Sequence, residues 1–326
     1  MSQVTEIVFI TGSGRSGTNI LKKIFSQHPD IASLPFEYRF TIDPDGVLDF
    51  YNSYPARWSP YAADHKIKRL ESFLLGLASQ SEEKRKRVEA TSNTDRLLVS
   101  GPSYAGWELD KHIPEYSTYV KELIDDLTAF KHPGVWPGSQ EGIENNQMYF
   151  SAPMSKEDLK PIISSFLKKC FKSIRDHQKK PILQEDNTHN LLYAQDLLSM
   201  FPGGKMIHII RDPRDVISSL KSQRWAPNNI NDLVEWYSAV MNQWQTQKSQ
   251  LNRTQFIEIR FENLIANPEK TINEICNFLG IEYNSKLLDL DLSKHNIGRY
   301  KNELSAQDIS AIETGTAALL KEYNYN

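Results

Sequence analysis

The sequence has few of the features that are typical of disulfide-rich, secreted and membrane-anchored proteins. It contains two cysteines, Cys170 and Cys276, which are too few for a disulfide framework in 326 residues. Both lie in apolar helical patterns, which is typical of buried thiols in a reducing compartment. No apolar run approaches about eighteen residues, and no basic segment followed by an apolar one opens the chain. We therefore expect no signal peptide and no membrane anchor, and predict a cytoplasmic protein.

Neither sign of charge dominates. The 38 Lys and Arg residues nearly balance the 41 Asp and Glu residues, for a net charge of −3. This balance favours neither nucleic acid nor an anionic membrane as a partner. The eight histidines show no metal-binding spacing, so we expect no metal. The oligomeric state is not predicted.

An apolar strand pattern runs directly into a glycine-rich turn near the start of the chain. The segment 7–19 reads IVFITGSGRSGTN and continues as a helical pattern. Glycines at 12, 14 and 17 permit positive φ angles and close backbone approach, and the following helix directs its free N–H groups toward the turn. With the Arg15 guanidinium beside these donors, the turn is suited to a phosphate group.

Three kinds of phosphate site fit this turn. The G-x-G-x-x-G spacing matches a dinucleotide fingerprint, and Glu37 lies about twenty residues downstream, where the ribose acid is expected. The G-x4-G spacing fits a nucleotide triphosphatase P-loop, although Thr18 and Asn19 replace the usual lysine and hydroxyl residue. The third possibility is a loop for a 5′-phosphate that carries another group, with Arg15 supplying the positive charge.

A second segment favours the third possibility. Residues 205–220 read KMIHIIRDPRDVISSL, a strand that ends in Arg211 and is followed at once by a helix. Asp212 is suited to cap that helix and Pro213 to open it, which places Arg211 at the carboxyl edge of the sheet. Ser219 lies about two helical turns further on. Arg211 and Ser219 are suited to one more phosphate at the edge where ligands collect in open α/β sheets.

The two segments together resemble the sulfotransferases that use 3′-phosphoadenosine-5′-phosphosulfate (PAPS). Residues 14–18 resemble the family's 5′-phosphosulfate loop, Arg211–Asp215 with Ser219 resembles its 3′-phosphate motif, and residues 296–301 are similar to its carboxyl-terminal loop over the nucleotide. The resemblance covers residues 5–40 and 182–301. It implies PAPS as cofactor and no metal. It assigns cofactor binding to Gly14, Arg15, Ser16, Gly17, Thr18, Asn19, Arg211, Ser219, Gly298 and Arg299.

Within the family, the bacterial and tyrosylprotein-type enzymes are most similar. The shared features are His-Pro-Asp at 28–30 and Glu37-Tyr38-Arg39. The resemblance implies Glu37 as the catalytic base, with Arg39 beside it and Arg15 facing the phosphosulfate. His28 and His189 are alternative bases. The chain departs from the family at Asn187, where many relatives have a lysine that contacts the bridging oxygen, so no residue is assigned that role.

Alternating strand and helix patterns predict the fold. We expect an α/β, P-loop-like three-layer fold with a central parallel sheet, forming one domain over 1–326. Residues 43–180 contain amphipathic helix patterns and no buried strand, so we predict a largely helical insertion on the acceptor side. Residues 132–154 are expected to form a long loop in it. The candidate acceptor-stacking residues are Trp58, Trp107 and Trp136.

The expected function is transfer of the PAPS sulfuryl group to a hydroxyl. A carbohydrate acceptor is expected first, with a lipid or tyrosyl hydroxyl after it. Two alternatives stay open. A P-loop nucleotide kinase or NTPase would turn over ATP or GTP with Mg²⁺. A non-catalytic nucleotide-binding module would bind the product 3′-phosphoadenosine-5′-phosphate (PAP) without turnover.

Overall fold

A computed structural model describes residues 5–78, 107–134, 147–292 and 296–325. The strands are β1 Ile7–Gly12, β2 Ile31–Ala32, β3 Phe130–Pro133, β4 Gln147–Phe150, β5 Ile182–Glu185, β6 Lys205–Ile210 and β7 Phe256–Arg260. The α-helices are α1 Thr18–Ser26, α2 Arg39–Ile42, α3 Val47–Ser53, α4 Pro60–Ala78, α5 Tyr116–Leu127, α6 Lys156–Gln178, α7 Ala194–Met200, α8 Pro213–Lys221, α9 Ile230–Ser249, α10 Phe261–Ala266, α11 Pro268–Leu279, α12 Tyr300–Glu303, α13 Ala306–Gly315 and α14 Ala317–Glu322. Short 3-10 helices cover Leu109–Lys111, Thr188–Tyr193 and Ser285–Leu288.

Five strands form one parallel sheet in the order β2-β5-β1-β6-β7. β1 lies at its centre, with Ile7 paired to Leu183 of β5 and Ile10 paired to Ile207 of β6. Every residue of β1 is buried. Because β1 and β6 are neighbours and run in the same direction, the turns that follow them open at the same edge of the sheet. The predicted central parallel sheet is confirmed.

Helices cover both faces of this sheet. On one face, Val8 and Ile10 belong to a buried apolar cluster with Leu21 of α1 and Ile275 of α11. On the other face, the ring of His208 lies 4.6 Å from that of Trp244 in α9, between centroids. The predicted three-layer α/β architecture is therefore confirmed. The 3-10 helix Thr188–Tyr193 leads directly into α7.

The chain divides into two compact units. One, the sheet unit, consists of Met1–Ser33 with Lys180–Asn326. The other, the insertion unit, is Leu34–Lys179. The prediction of a single domain with its insertion at 43–180 stays a prediction.

The insertion unit is mainly helical in its described part. Helix α6 begins with a capping box, in which Ser155 and Asp158 each bond to the backbone N–H of the other. The predicted loop over 132–154 is wrong at residues 132–133 and 147–150, because β3 and β4 form an antiparallel pair there. Phe130 stacks on Phe150 across that pair, with centroids 4.7 Å apart, and such cross-strand contacts stabilise short hairpins. Trp136 lies outside the described residues.

The structure shows the burial of the two cysteines and the length and apolar character of the described helices. Cys170 and Cys276 are both buried free thiols, as predicted, and burial raises the pKa of Cys276 to about 11. Among the helices that the structure describes, none combines the length and apolar character needed to cross a bilayer. The cytoplasmic location stays a prediction.

Candidate functional site

The turn between β1 and α1, residues 12–18, is called the phosphate loop below. Three of its residues have left-handed backbone conformations: Gly14 at φ 84°, Arg15 at φ 57° and Gly17 at φ 113°. Such a run directs successive N–H groups toward one side, which is the arrangement that holds anions. Gly17 is the N-cap residue of α1, and no described side chain caps that helix. The first N–H groups of α1 therefore remain suited to an anion at the loop.

Two glycines of the phosphate loop are required by close contacts. A Cβ atom at Gly17 would lie 2.6 Å from Cδ2 of Phe261. A Cβ atom at Gly12 would lie 2.1 Å from the Oγ atom of Ser16. That hydroxyl is buried and has no hydrogen-bond partner among the described residues. An unpartnered buried hydroxyl costs free energy, and a phosphate oxygen in the loop would supply its partner.

Arginine side chains from three separate segments meet at this loop. The Nε atom of Arg15 donates to Oγ of Ser219 at 3.0 Å, across 204 residues of sequence. Arg211 donates through Nη1 to the carbonyl oxygen of Arg15 at 3.3 Å. Burial, and then the charges of Arg299 and Arg211, lower the pKa of Arg15. Three guanidinium groups this close repel one another, so an anion with more than one charge is the natural partner of the cluster.

The local sequence after β6 places Arg211 as predicted. Asp212 caps α8 by accepting the N–H of Arg214 at 2.9 Å, and Pro213 occupies the first turn. Arg211 is buried, and its guanidinium lies 4.9 Å from the centroid of the Phe261 ring. Its Nε atom has no partner among the described residues, so one donor of Arg211 remains for a ligand.

Residues 296–300, called the closing loop below, are bonded to α8. The carboxylate of Asp215 accepts the N–H groups of Gly298 at 2.8 Å and Tyr300 at 3.3 Å. Arg211 donates through Nη2 to the carbonyl oxygen of Asn296. The structure therefore brings the closing loop to Arg211, and Gly298 takes a positive φ of 75° in it.

A carboxyl group that no sequence motif indicated lies at the end of β5, the other neighbour of β1. Glu185 is fully buried and accepts hydrogen bonds from the side-chain amides of Asn187, at 2.7 Å, and Asn190. Burial, opposed by these hydrogen bonds and assisted by the charge of Asp186, raises the pKa of Glu185 to about 8. The available signal was an acid that closes a buried strand two residues before Asn187.

The predicted base lies in the insertion unit. The carboxylate of Glu37 pairs with Arg39, and its backbone carbonyl oxygen accepts the indole N–H of Trp107 at 2.9 Å. The guanidinium of Arg39 lies 6.0 Å from the Trp107 ring centroid. Trp58 instead donates to the carbonyl oxygen of Ser151 at 3.1 Å. Glu37, Arg39 and Trp107 thus form one group, and their catalytic and acceptor-binding roles stay predictions.

Of the two alternative bases, His28 is held by the backbone on both sides of its ring. Its Nε2 atom lies 3.0 Å from the carbonyl oxygen of Glu282, and Nδ1 accepts the N–H of Asp30 at 3.1 Å. These contacts give His28 a structural explanation. His189 lies within the 3-10 helix after β5 and is partly exposed.

Comparison with known proteins identifies the family. The model of the sulfotransferase family matches residues 90–285, more than half of the chain. Omega-hydroxy-beta-dihydromenaquinone-9 sulfotransferase Stf3 of Mycobacterium bovis is 24% identical over 189 residues, covering 53% of this chain and 47% of that protein. A putative protein-tyrosine sulfotransferase of Caenorhabditis briggsae is 27% identical over 135 residues, covering 40% of this chain and 47% of that protein.

A solved structure, the sulfotransferase domain from the curacin biosynthetic pathway, matches with a TM-score of 0.46 and 16% identity, covering 100% of this chain and 99% of that one. The chain spans about half the length of the curated relatives it matches. Because the family model matches the greater part of its sequence, the chain belongs to the sulfotransferase family.

Proposed function

We propose that the chain transfers the sulfuryl group of PAPS to a hydroxyl group of an acceptor. The observation that carries this proposal is the meeting of Arg15, Arg211 and Ser219 at the carboxyl edge of β1 and β6. A nucleotide with phosphates at two positions matches two adjacent basic sites better than one triphosphate does. No lysine is present in the phosphate loop for a γ-phosphate.

The two anion positions have different residues. We assign the 5′-phosphosulfate to the phosphate loop, with the unpartnered Ser16 hydroxyl and the N-terminal end of α1 as donors. We assign the 3′-phosphate to Arg211, Ser219 and the closing loop. The complete proposed set is Gly14, Arg15, Ser16, Gly17, Thr18, Asn19, Arg211, Ser219, Gly298 and Arg299.

The proposed reaction requires these residues to stabilise charge and to orient the nucleotide. PAPS, when bound, supplies a sulfuryl group whose leaving oxygen belongs to a phosphate. Arg15 and the loop N–H groups stabilise negative charge at the 5′ position, and such preorganised donors are worth several kcal/mol. Arg211 and the closing loop hold the other end of the nucleotide and so fix its orientation.

A base is needed on the acceptor side. We propose Glu37, whose carboxylate is paired with Arg39 and can accept the proton of an acceptor hydroxyl. The ion pair holds this carboxylate in one orientation, and Trp107, bonded to the Glu37 carbonyl oxygen, orders the same segment. Proton removal by a positioned base contributes typically 10²–10⁴-fold to the rate.

The acceptor is proposed by class only. A carbohydrate hydroxyl is the first class, as the sequence analysis expects. The names of the two relatives add an ω-hydroxyl group of a menaquinone derivative and a protein tyrosine as the other two classes. Each class offers a hydroxyl group, so the same base is required for all three.

Transfer of labelled sulfuryl from PAPS to a panel of sugars, long-chain alcohols and tyrosyl peptides tests the proposal. Product formation with one class, lost on Arg15→Ala and retained on Lys172→Ala at an exposed site of α6, is the expected result. Turnover of ATP or GTP with Mg²⁺ and none of PAPS would replace the proposal with the kinase or NTPase alternative. Binding of PAP without transfer to any of the three classes would favour the non-catalytic alternative.

A further inference from the structure

We propose that Glu185 is a positioning residue of the nucleotide site, which holds residues 186–190, the β5 turn, in the shape that supports the phosphate loop. The inference rests on the proposed function. Glu185 lies at the end of β5, directly beside Phe9 of the central strand β1. It does not contact the ligand in this proposal, and it acts through the residues that it holds.

Both oxygens of the carboxyl group are used within the β5 turn. One oxygen accepts from the Asn187 side-chain amide at 2.7 Å, and the other accepts from the Asn190 side-chain amide. The backbone N–H of Asn190 donates to the carbonyl oxygen of Asn187 at 3.1 Å, which closes the turn. Glu185, Asn187 and Asn190 are all buried, so water does not replace these bonds readily if the carboxyl group is removed.

The β5 turn in turn contacts the end of β1 and the phosphate loop. Thr11 donates to the carbonyl oxygen of Thr188 at 2.8 Å and accepts the N–H of Leu191 at 2.7 Å. The methyl group of Thr188 lies 3.8 Å from the Cβ position of Gly14. A shift of the β5 turn would therefore change the position of the phosphate loop, which we assign to the 5′-phosphate.

The position of Asn187 explains why the carboxyl group matters here. The side-chain amide of Asn187 is buried and donates to Glu185, so the carboxyl group fixes its orientation. A neighbouring carboxylate, Asp186, is bonded to Lys22 of α1 at 2.9 Å. The segment thus has two consecutive acids with separate buried partners, and the partners of Glu185 belong to the β5 turn itself.

The test compares two probes that differ only at the 5′ position. PAP carries both phosphates, and adenosine 3′-phosphate lacks the one assigned to the phosphate loop. Titration calorimetry, with competition against PAP for the weaker probe, gives the affinity ratio, which measures the contribution of the 5′-phosphate. We expect Glu185→Ala to reduce this ratio about tenfold, the scale of one lost buried hydrogen bond, and to leave the affinity for adenosine 3′-phosphate unchanged.

Two variants control for a general loss of stability. Leu183→Ala removes a buried side chain two residues earlier on β5, so it lowers Tm and should leave the ratio unchanged. Glu185→Gln should restore the ratio to within about threefold of the wild type. The glutamine keeps one acceptor for Asn187, and its amide can donate to Oδ1 of Asn190 after that amide rotates. This oxygen has no partner among the described residues.

The outcomes separate this inference from the function on which it rests. If wild-type protein binds neither probe, the proposed function fails and the inference fails with it. If the wild type binds PAP but Glu185→Ala weakens both probes equally, or weakens neither, the proposed function stands and Glu185 is not a positioning residue. A reduced ratio in Leu183→Ala as well would also overturn the inference, because any damage to β5 would then suffice.

Discussion

Asp215 and Gly298 are joined by a hydrogen bond of 2.8 Å from the Gly298 N–H to the Asp215 carboxylate. The bond connects the first turn of α8 with the closing loop, 83 residues later in sequence. The same carboxylate lies 3.4 Å from an Nη2 atom of Arg211. One buried acid therefore positions both the closing loop and the arginine that we assign to the 3′-phosphate.

Replacing Asp215 distinguishes the positioning role of its carboxylate from the effect of its negative charge on PAP binding. We expect Asp215→Ala to weaken PAP binding about tenfold, because the closing loop and Arg211 lose their shared partner. Charge alone predicts the reverse, since removing a carboxylate near a phosphate strengthens binding of the anion. Titration of PAP into the variant decides between them. Asp232→Asn, in the first turn of α9, is the matched control and should bind PAP like the wild type.

Glu37→Gln tests the proposed base. The variant keeps the size of the side chain and removes its ability to accept a proton. We expect the rate of sulfuryl transfer to fall by about 10²–10⁴-fold, with the affinity for PAP unchanged. Single-turnover transfer measures the rate, and Glu122→Gln at an exposed site of the same unit is the control. A transfer rate within about twofold of the wild-type rate, which is the size of effect expected from a substitution at the protein surface, would place the base at another residue.

Gly17→Ala tests the conformation of the phosphate loop. The glycine has φ 113°, and a Cβ atom there would lie 2.6 Å from the Phe261 ring. We expect a loss of about 1–3 kcal/mol in the free energy of unfolding, measured by denaturant titration. Gly76→Ala in α4 is the matched control, since nothing lies within 4 Å of its Cβ position. That substitution should stabilise the protein by about 0.4–1 kcal/mol. Equal effects of the two would show that position 17 does not require a glycine.

Glu185 gives a pH dependence of stability. Its folded pKa of about 8 is above the ordinary value of 4.5, because burial disfavours the charged form. Between these two values the unfolded chain has lost the proton and the folded chain keeps it, so stability contributed by this group falls as pH rises. We therefore expect Glu185→Gln, which cannot ionise, to gain Tm relative to wild type as pH rises from 4.5 toward 8. A constant difference in Tm over this window would contradict a buried neutral carboxyl group.

Those parts of the site that depend on a strand and the helix after it could be predicted from sequence. The phosphate loop follows β1 directly, and the cap and proline of α8 follow Arg211 directly, so local patterns place both. Their meeting follows from the parallel order of the sheet. Arg15 and Ser219 are therefore bonded although 204 residues separate them.

Contacts between segments without such a pattern were not predictable. The hydrogen bonds of Glu185 depend on how residues 186–190 turn, which no periodicity records. The hairpin of β3 and β4 was missed because each strand has only four residues, too few for an alternating pattern to be recognised. The bond between Asp215 and Gly298 depends on the closing loop, whose similarity to the family indicated its place but not its partners.

A comparison of ligand-induced thermal shifts tests the central claim most directly. PAP, ATP with Mg²⁺, and NAD are added separately to wild-type protein, Arg15→Ala and Arg211→Ala. A ligand at about one hundred times its Kd stabilises by roughly 2.7 kcal/mol, which raises Tm measurably. We predict that PAP alone raises the Tm of the wild type and that neither variant responds. A larger shift with ATP or NAD, or a PAP shift that survives both substitutions, would contradict a PAPS site formed by the two arginines.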